Sequence, residues 1–282
     1  MCANLTAAGY PVTVNDVHAE CAAVARDRGA RWSPSAADAA RNADILITVL
    51  PGPREVREAM DGGGAVDALP RGATWIDMTS NAPSAAAPIR ERAVARGVDV
   101  LEAPVGGGIP AAREGTLQLF VGGDAEVFER HRPLLRVLGD PARTVHVGGP
   151  GTGYTAKLLV NLLWFGQAVA TAEALLLGRR AGIDLGTLRT VLAGSAAGSE
   201  FVRHDLDALF SGDYLRSFGL DRCHEELAAV TALAREHRVP FDLSEVVERT
   251  YRRALDRFGA VDGELLADAL LEEEAGERLR PG

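Results

Sequence analysis

Residues 151–161 read GTGYTAKLLVN, and the fold and chemistry of the whole chain are most legible from this stretch. It holds the only lysine: of 30 basic residues, Lys157 is one and the other 29 are arginine. A bias of this strength is expected from codon composition, which replaces lysine wherever positive charge alone is needed. Arginine stays charged at any physiological pH, whereas burial can depress a lysine until it exchanges a proton near neutrality. That is the behaviour required of a general acid. On charge alone, a lysine retained by chance remains an alternative; its position separates the two.

Gly151 and Gly153 open a predicted helix whose apolar run continues from Tyr154 to about Arg180. Gly153, Lys157 and Asn161 recur every four residues, on one helical face. A small residue, an ammonium and a carboxamide in one stripe would make a wall for a small polar substrate. The pattern G-x-G-x-x-x-K-x-x-x-N, at the junction of an α/β half and a helical half, resembles the β-hydroxyacid dehydrogenases. That family includes 3-hydroxyisobutyrate dehydrogenase and tartronate semialdehyde reductase. The resemblance implies that Lys157 is catalytic and that Asn161 holds lysine and substrate oxygen in register.

At 282 residues, two domains are expected: a dinucleotide-binding domain over 1–149 and a helical substrate and oligomerisation domain over 150–282. A net charge of −9 argues against nucleic acid or an anionic membrane as partner. Cys2, Cys21 and Cys223 are scattered, with no CxxC, so neither a disulfide framework nor a metal site is suggested. No uninterrupted apolar run of about 18–20 residues and no signal core are read, and a cytoplasmic location is expected. The expected partners are a small-molecule substrate and further copies of the chain, since helical second domains of this kind usually pair with a neighbour.

MCANLTAAGY reads as the tail of a helix closing on Gly9, followed by a strand Val12 to Asn15 that ends at Asp16. In a dinucleotide fold an acid there bonds the adenosine ribose. A strand, a G-x-G-x-x-G turn and a helix should precede it, yet the sequence begins inside that helix. Met1, Asn4, Leu5, Ala8 and Gly9 match the family segment that follows the glycine-rich turn. The expected fold is therefore a Rossmann-type α/β domain lacking its first strand, followed by an all-α domain. Two explanations stay open: an internal methionine of a longer protein, or a naturally shortened chain that binds cofactor poorly.

Further strands are predicted at Ala30–Trp32, Ile45–Leu50, Trp75–Met78, Val98–Leu101, Gln118–Val121 and Thr144–Gly148. Helices are predicted between them, including Ala125–Leu138. Gly62-Gly63-Gly64 follows no strand directly and reads as a surface turn, not a phosphate cradle. By resemblance, Leu50-Pro51 and Ser80 lie against the cofactor; by residue type, the first pair simply ends a strand and Ser80 or Ser84 caps a helix. Glu102-Ala103-Pro104-Val105-Gly106-Gly107-Gly108 resembles the family's A-P-V-S-G-G substrate loop, in which glycines let backbone approach a ligand. Gly106 stands where the family carries serine.

Beyond residue 150 the pattern is helical throughout, with elements near 185–192, 200–209, 220–236, 244–257 and 263–274. Phe218 and Leu220 fit the family's F-x-L segment, but Glu225 and Glu226 replace the Lys-Asp pair that follows it. A carboxylate in place of an ammonium would repel an anionic substrate. The six histidines show no H-x-x-x-H spacing, and Cys223 and His224 should point apart. Glu272, Glu273 and Glu274 read as a solvated helix end, and Arg252, Arg253 and Arg257 as a solvent face. The expected reaction is hydride transfer between a nicotinamide and a small 3-hydroxy acid or related alcohol or semialdehyde. Asp16 without a following arginine favours NAD, with NADP not excluded. Two alternatives stand beside it: a family member that binds without turnover, and an imine reductase, which usually has aspartate or tyrosine at the lysine position.

Overall fold

The computed structural model describes residues 1–215 and 218–281. The chain divides into two compact units, Met1–Lys157 and Leu158–Gly282. The first contains α1 (Cys2–Ala7), β1 (Thr13–Val14), α2 (Cys21–Asp27), β2 (Arg31–Trp32), α3 (Ala36–Ala40), β3 (Ile45–Thr48), α4 (Pro53–Arg57) and α5 (Ala65–Ala68). It continues with β4 (Thr74–Asp77), α6 (Pro83–Ala95), β5 (Asp99–Glu102), β6 (Val105–Gly106), α7 (Gly108–Glu114), β7 (Leu117–Gly123), α8 (Ala125–Leu138) and β8 (Gly139–Gly148). Helix α9 (Thr152–Arg180) gives its first turns to this unit and the rest to the second. There follow α10 (Leu185–Ala193), α11 (Leu206–Ser211), α12 (Leu220–Glu236), α13 (Asp242–Phe258) and α14 (Leu266–Ala275).

In the first unit β3, β4 and β5 pair in parallel, while β7 runs antiparallel to β5 and β6 and parallel to β8. The TWID sequence of β4 is buried at all four positions, the mark of a parallel strand covered on both faces. Alternation sends Ile76 into a cluster with Leu101, Leu119, Leu5 and the apolar stripe of α8, and Trp75 into one with Val56, Met60, Val66 and Ile89. The strands β1 and β2 form a separate parallel pair. A doubly wound sheet of order 3-2-1-4-5-6 places its first strand between these two groups. Among the described residues no strand joins β1 to β3, and the parallel-dominated sheet with its covering helices is Rossmann-type.

Helices α8 and α12 fall where their apolar period predicts them, and Asp124 caps α8 by accepting from the N–H groups of Glu126 and Val127. The stretch 102–108, read as a glycine-rich substrate loop, instead carries the short strand β6 and runs into α7. Gly107, at φ 107°, turns the chain and Pro110 sits in the first helical turn, where a missing N–H costs nothing. Helix α4 continues into a π turn at Glu58–Gly62, and the helix expected near 200–209 begins with one at Phe201–Asp205.

In the second unit, Leu158, Leu162 and Phe165 of α9 pack with Leu220, Cys223 and Leu227 of α12 and with Tyr251 of α13. By length and composition α9, at 29 residues, is apolar enough to cross a membrane, although Lys157, Asn161, Gln167 and Glu173 interrupt its apolar run. Its buried side chains here form protein core. One correction concerns Glu272, which is not solvated. It is fully buried and accepts from Tyr214 Oη (2.7 Å), the Leu279 N–H (2.6 Å), Arg278 (3.0 Å) and Arg280 (3.1 Å). The segment after α14 folds back on it. Arg257 and Arg253 pair with Glu273 and Glu274 on the solvent side.

Candidate active site

Leu50-Pro51 follows the carboxyl end of β3, Ser80 that of β4, and Gly106–Gly108 spans the turn from β6 into α7. Open α/β sheets bind ligands outside these strand ends. Leu50 and Ser80 are half-buried and Pro51 is exposed. The cap reading for Ser80 and Ser84 fails: α6 starts at Ala82 and Pro83 without a side-chain cap, and Asn81 Oδ1 takes the Ala82 N–H at 2.8 Å.

Beneath these loops lies a buried polar network centred on Asp77, the last residue of β4. Its carboxylate accepts from Thr48 Oγ1 (2.8 Å), the Thr79 N–H (3.1 Å) and Tyr154 Oη (2.7 Å). Trp75 Nε1 donates to Thr48, and the Leu50 N–H donates to Thr79 Oγ1. The ends of β3 and β4 are thereby stitched together and tied to the first turn of α9. Burial pushes the Asp77 carboxyl up, opposed by bonds from Tyr154, Thr79 and Thr48; burial and the neighbouring Asp77 push the Tyr154 phenol well up.

A second carboxylate holds the same helix end. Glu102, closing β5, accepts from the N–H groups of Gly151 (2.5 Å) and Gly153 (3.2 Å), satisfying donors that a helix start leaves open. Burial raises its carboxyl while those N–H bonds pull it down. Beside it the backbones of α9 and β7 touch: a Cβ on Gly153 would stand 2.7 Å from the Phe120 carbonyl oxygen, and one on Gly122 2.5 Å from the Gly153 nitrogen. This corrects the expectation that Gly153 lines a substrate wall. It faces the sheet, because only glycine permits that approach.

Lys157 stands one turn further along α9 and is half-buried, beside buried Leu158. The two carboxylates and the glycine contact fix the rotation of α9, and with it the direction in which position 157 projects. None of Asp77, Glu102 or Tyr154 was singled out as functional in the sequence; the only signal was a carboxylate as the last residue of β4 and of β5. In the second unit, Asn161 Nδ2 donates to Glu226 Oε2 of α12. Glu225 is exposed and pairs with Arg222 at 2.9 Å, so its charge does not stand alone.

Gly106 is paired with Gln118, and a Cβ there would make only ordinary contacts, the nearest to Gln118 Oε1 at 3.5 Å. Space is therefore not what excludes the family's serine. Gly107 and Gly108 have φ of 107° and 64°, in the region that favours glycine. Asp16 is exposed beyond β1, and its Oδ1 accepts from the His18 N–H at 2.9 Å.

Asp16 offers a carboxylate beyond the end of β1, and Leu50, Pro51 and Ser80 lie just beyond the ends of β3 and β4. For the pyrophosphate, the described residues offer no glycine-rich strand-to-helix turn. Gly63 instead closes a π turn and Gly64, at φ 68°, starts α5. Among the histidines, His131 is buried against Thr74 Oγ1 (2.8 Å) and His224 pairs with Glu248 (3.0 Å). No group of three potential metal ligands occurs among the described residues.

A doubly wound sheet, loaded at its strand ends and followed by helices, is the architecture of dinucleotide-dependent oxidoreductases. Residues 1–149 match the profile of the NAD binding domain of 6-phosphogluconate dehydrogenase, and residues 151–267 that described as NAD-binding of NADP-dependent 3-hydroxyisobutyrate dehydrogenase. The 2-(hydroxymethyl)glutarate dehydrogenase of Eubacterium barkeri is 30% identical over 253 residues, 89% of this chain and 83% of that protein. The 3-sulfolactaldehyde reductase of Escherichia coli K12 is 31% identical over 90% of this chain and 85% of its own. A Mycobacterium tuberculosis 3-hydroxyisobutyrate dehydrogenase structure with L-serine superposes with a TM-score of 0.84 at 25% identity, covering 95% of this chain and 94% of the other. The chain belongs to the β-hydroxyacid dehydrogenase family of NAD(P)-dependent oxidoreductases. An imine reductase from Myxococcus stipitatus, with a TM-score of 0.63 at 21% identity over 95% of this chain and 94% of the other, shares the fold alone.

Proposed function

We propose that the protein catalyses reversible hydride transfer between NAD and a small 3-hydroxy acid or related alcohol or semialdehyde. One observation carries this reading: the only lysine of the chain projects from the helix turn that Asp77, Glu102 and the Gly122–Gly153 contact hold in place. The nicotinamide, when bound, gives or takes the hydride. Lys157 Nζ gives its proton to the substrate carbonyl oxygen in reduction and takes the hydroxyl proton in oxidation. Asn161 keeps the substrate oxygen in register with that amine. Leu50, Pro51 and Ser80 bear on the nicotinamide side, and Asp16 on the adenosine ribose, where its charge would repel a 2′-phosphate and so favours NAD over NADP. Gly107 and Gly108 offer backbone N–H groups to the substrate, with Gly106 lacking the family's hydroxyl. A cytoplasmic homo-oligomer acting on a small molecule, with no nucleic-acid or membrane partner, completes the proposal.

A second reading, a family member that holds ligand without turnover, is favoured by the separation of the β1–β2 pair from β3. Fluorescence titration with NADH distinguishes them. A saturable change is expected for the enzyme; its absence at millimolar concentration favours the non-catalytic reading.

A further inference from the structure

Asn161 and Glu226 meet where α9 packs on α12. Leu158, Leu162 and Phe165 share a buried cluster with Leu220, Cys223 and Leu227, and position 226 flanks that seam beside Leu227. The Glu226 carboxylate accepts from Asn161 Nδ2. A carboxylate has only lone pairs to offer, so the amide nitrogen is the atom turned to α12 and the amide oxygen the atom turned away. Glu225, about 100° further round the helix, pairs with Arg222 instead.

We propose that Glu226 is a positioning residue that sets the orientation of the Asn161 carboxamide. The amide oxygen is then presented on the α9 face that Lys157 shares one turn upstream. Asn161 thereby presents its oxygen as an acceptor, for a substrate hydroxyl or an ammonium, while the second hydrogen of Nδ2 stays free to meet a carbonyl oxygen. The charge of Glu226 makes the choice one-sided. A glutamine there offers oxygen and N–H alike, and the amide loses its preference. The catalytic consequence rests on the hydride-transfer reading; the amide orientation does not.

Selective labelling of asparagine with 15N gives five side-chain amides, at residues 4, 15, 42, 81 and 161, few enough to assign by single substitution. In Glu226→Gln the Asn161 amide signal is expected to shift and its hydrogens to exchange about tenfold faster, as a charged acceptor becomes neutral. With NAD and 3-hydroxyisobutyrate as probe, the same variant is expected to lose about 10–100-fold in kcat at unchanged KM for NAD. Glu226→Asp, which keeps the charge with shorter reach, should recover part of both. Should Glu226→Gln fail to fold, Glu226→Asp alone must still displace the Asn161 signal. An unmoved Asn161 signal overturns the contact, and a moved signal at unchanged kcat overturns the positioning role. Wild-type protein that turns over no substrate counts against the hydride-transfer reading, and the amide signal then decides the Glu226 assignment by itself.

Discussion

Lys157 stands among 29 arginines, and the chemistry proposed for it depends on its being lysine rather than merely positive. Lys157→Ala is expected to lower kcat by about 10²–10⁴-fold, the usual yield of a positioned acid, while NADH affinity stays within error. Lys157→Arg should be equally inactive, because a guanidinium keeps its proton. Steady-state rates beside NADH titrations check both. At Glu225 a lysine would reverse the charge that departs from the family. Glu225→Lys is expected to lower KM for 3-hydroxyisobutyrate roughly two- to fivefold relative to its neutral methyl ester, the modest gain of an exposed pair. Residue type and spacing singled out Lys157 and Asn161, and the family resemblance singled out Leu50, Pro51, Ser80 and Gly106–Gly108. They did not suffice for Glu102 and Tyr154, whose partners lie 49 and 77 residues away. Nor did they for Glu226, whose partner Asn161 is 65 residues distant. Sequence spacing carries no information about such contacts.

Helix α9 was legible as a helix from its composition, but its docking was not. Nothing in G-T-G says that Gly153 lies against Gly122, since that contact exists only once β7 is paired and α9 is capped by Glu102. Gly153→Ala is expected to destabilise the protein by about 1–3 kcal/mol, because the atoms it meets are backbone and cannot swing aside. Gly149→Ala, where a Cβ meets nothing within 4 Å, should leave the melting temperature nearly unchanged. Thermal unfolding of the two variants side by side tests whether the close approach is real. Elements with a strong period, such as α8 and α12, fell where the sequence placed them. Those built on glycine and proline, β6 and α7, did not, because their conformation is chosen by neighbours more than by propensity.

At the scale of the molecule, the second unit carries an unusual electrostatic load. Asp268 is fully buried with neither carboxyl oxygen hydrogen-bonded, and burial, with Glu272 nearby, pushes its carboxyl well above the ordinary range. The folded protein therefore keeps that proton to higher pH than the unfolded chain does. This group's contribution is complete below about pH 4 and is lost as pH rises toward its folded pKa. Asp268→Asn removes that dependence. It should raise stability by about 1–4 kcal/mol at pH 7.5, with the gain shrinking toward zero near pH 4, as read by urea unfolding at both values. An advantage that did not depend on pH would mean that Asp268 is charged in the fold.

By itself the sequence determined most of the strands and helices, the change from α/β to helical texture, the single lysine and the residue identities at positions 106, 225 and 226. These follow from periodicity, composition and identity, which are local properties of a chain. Only the tertiary structure decided which carboxylates hold α9, that Gly153 serves packing, that Glu272 is buried under the returning C-terminal segment, and that Glu226 rather than Glu225 engages Asn161. Each of those depends on desolvation and on partners distant in sequence, and neither exists until the elements have packed.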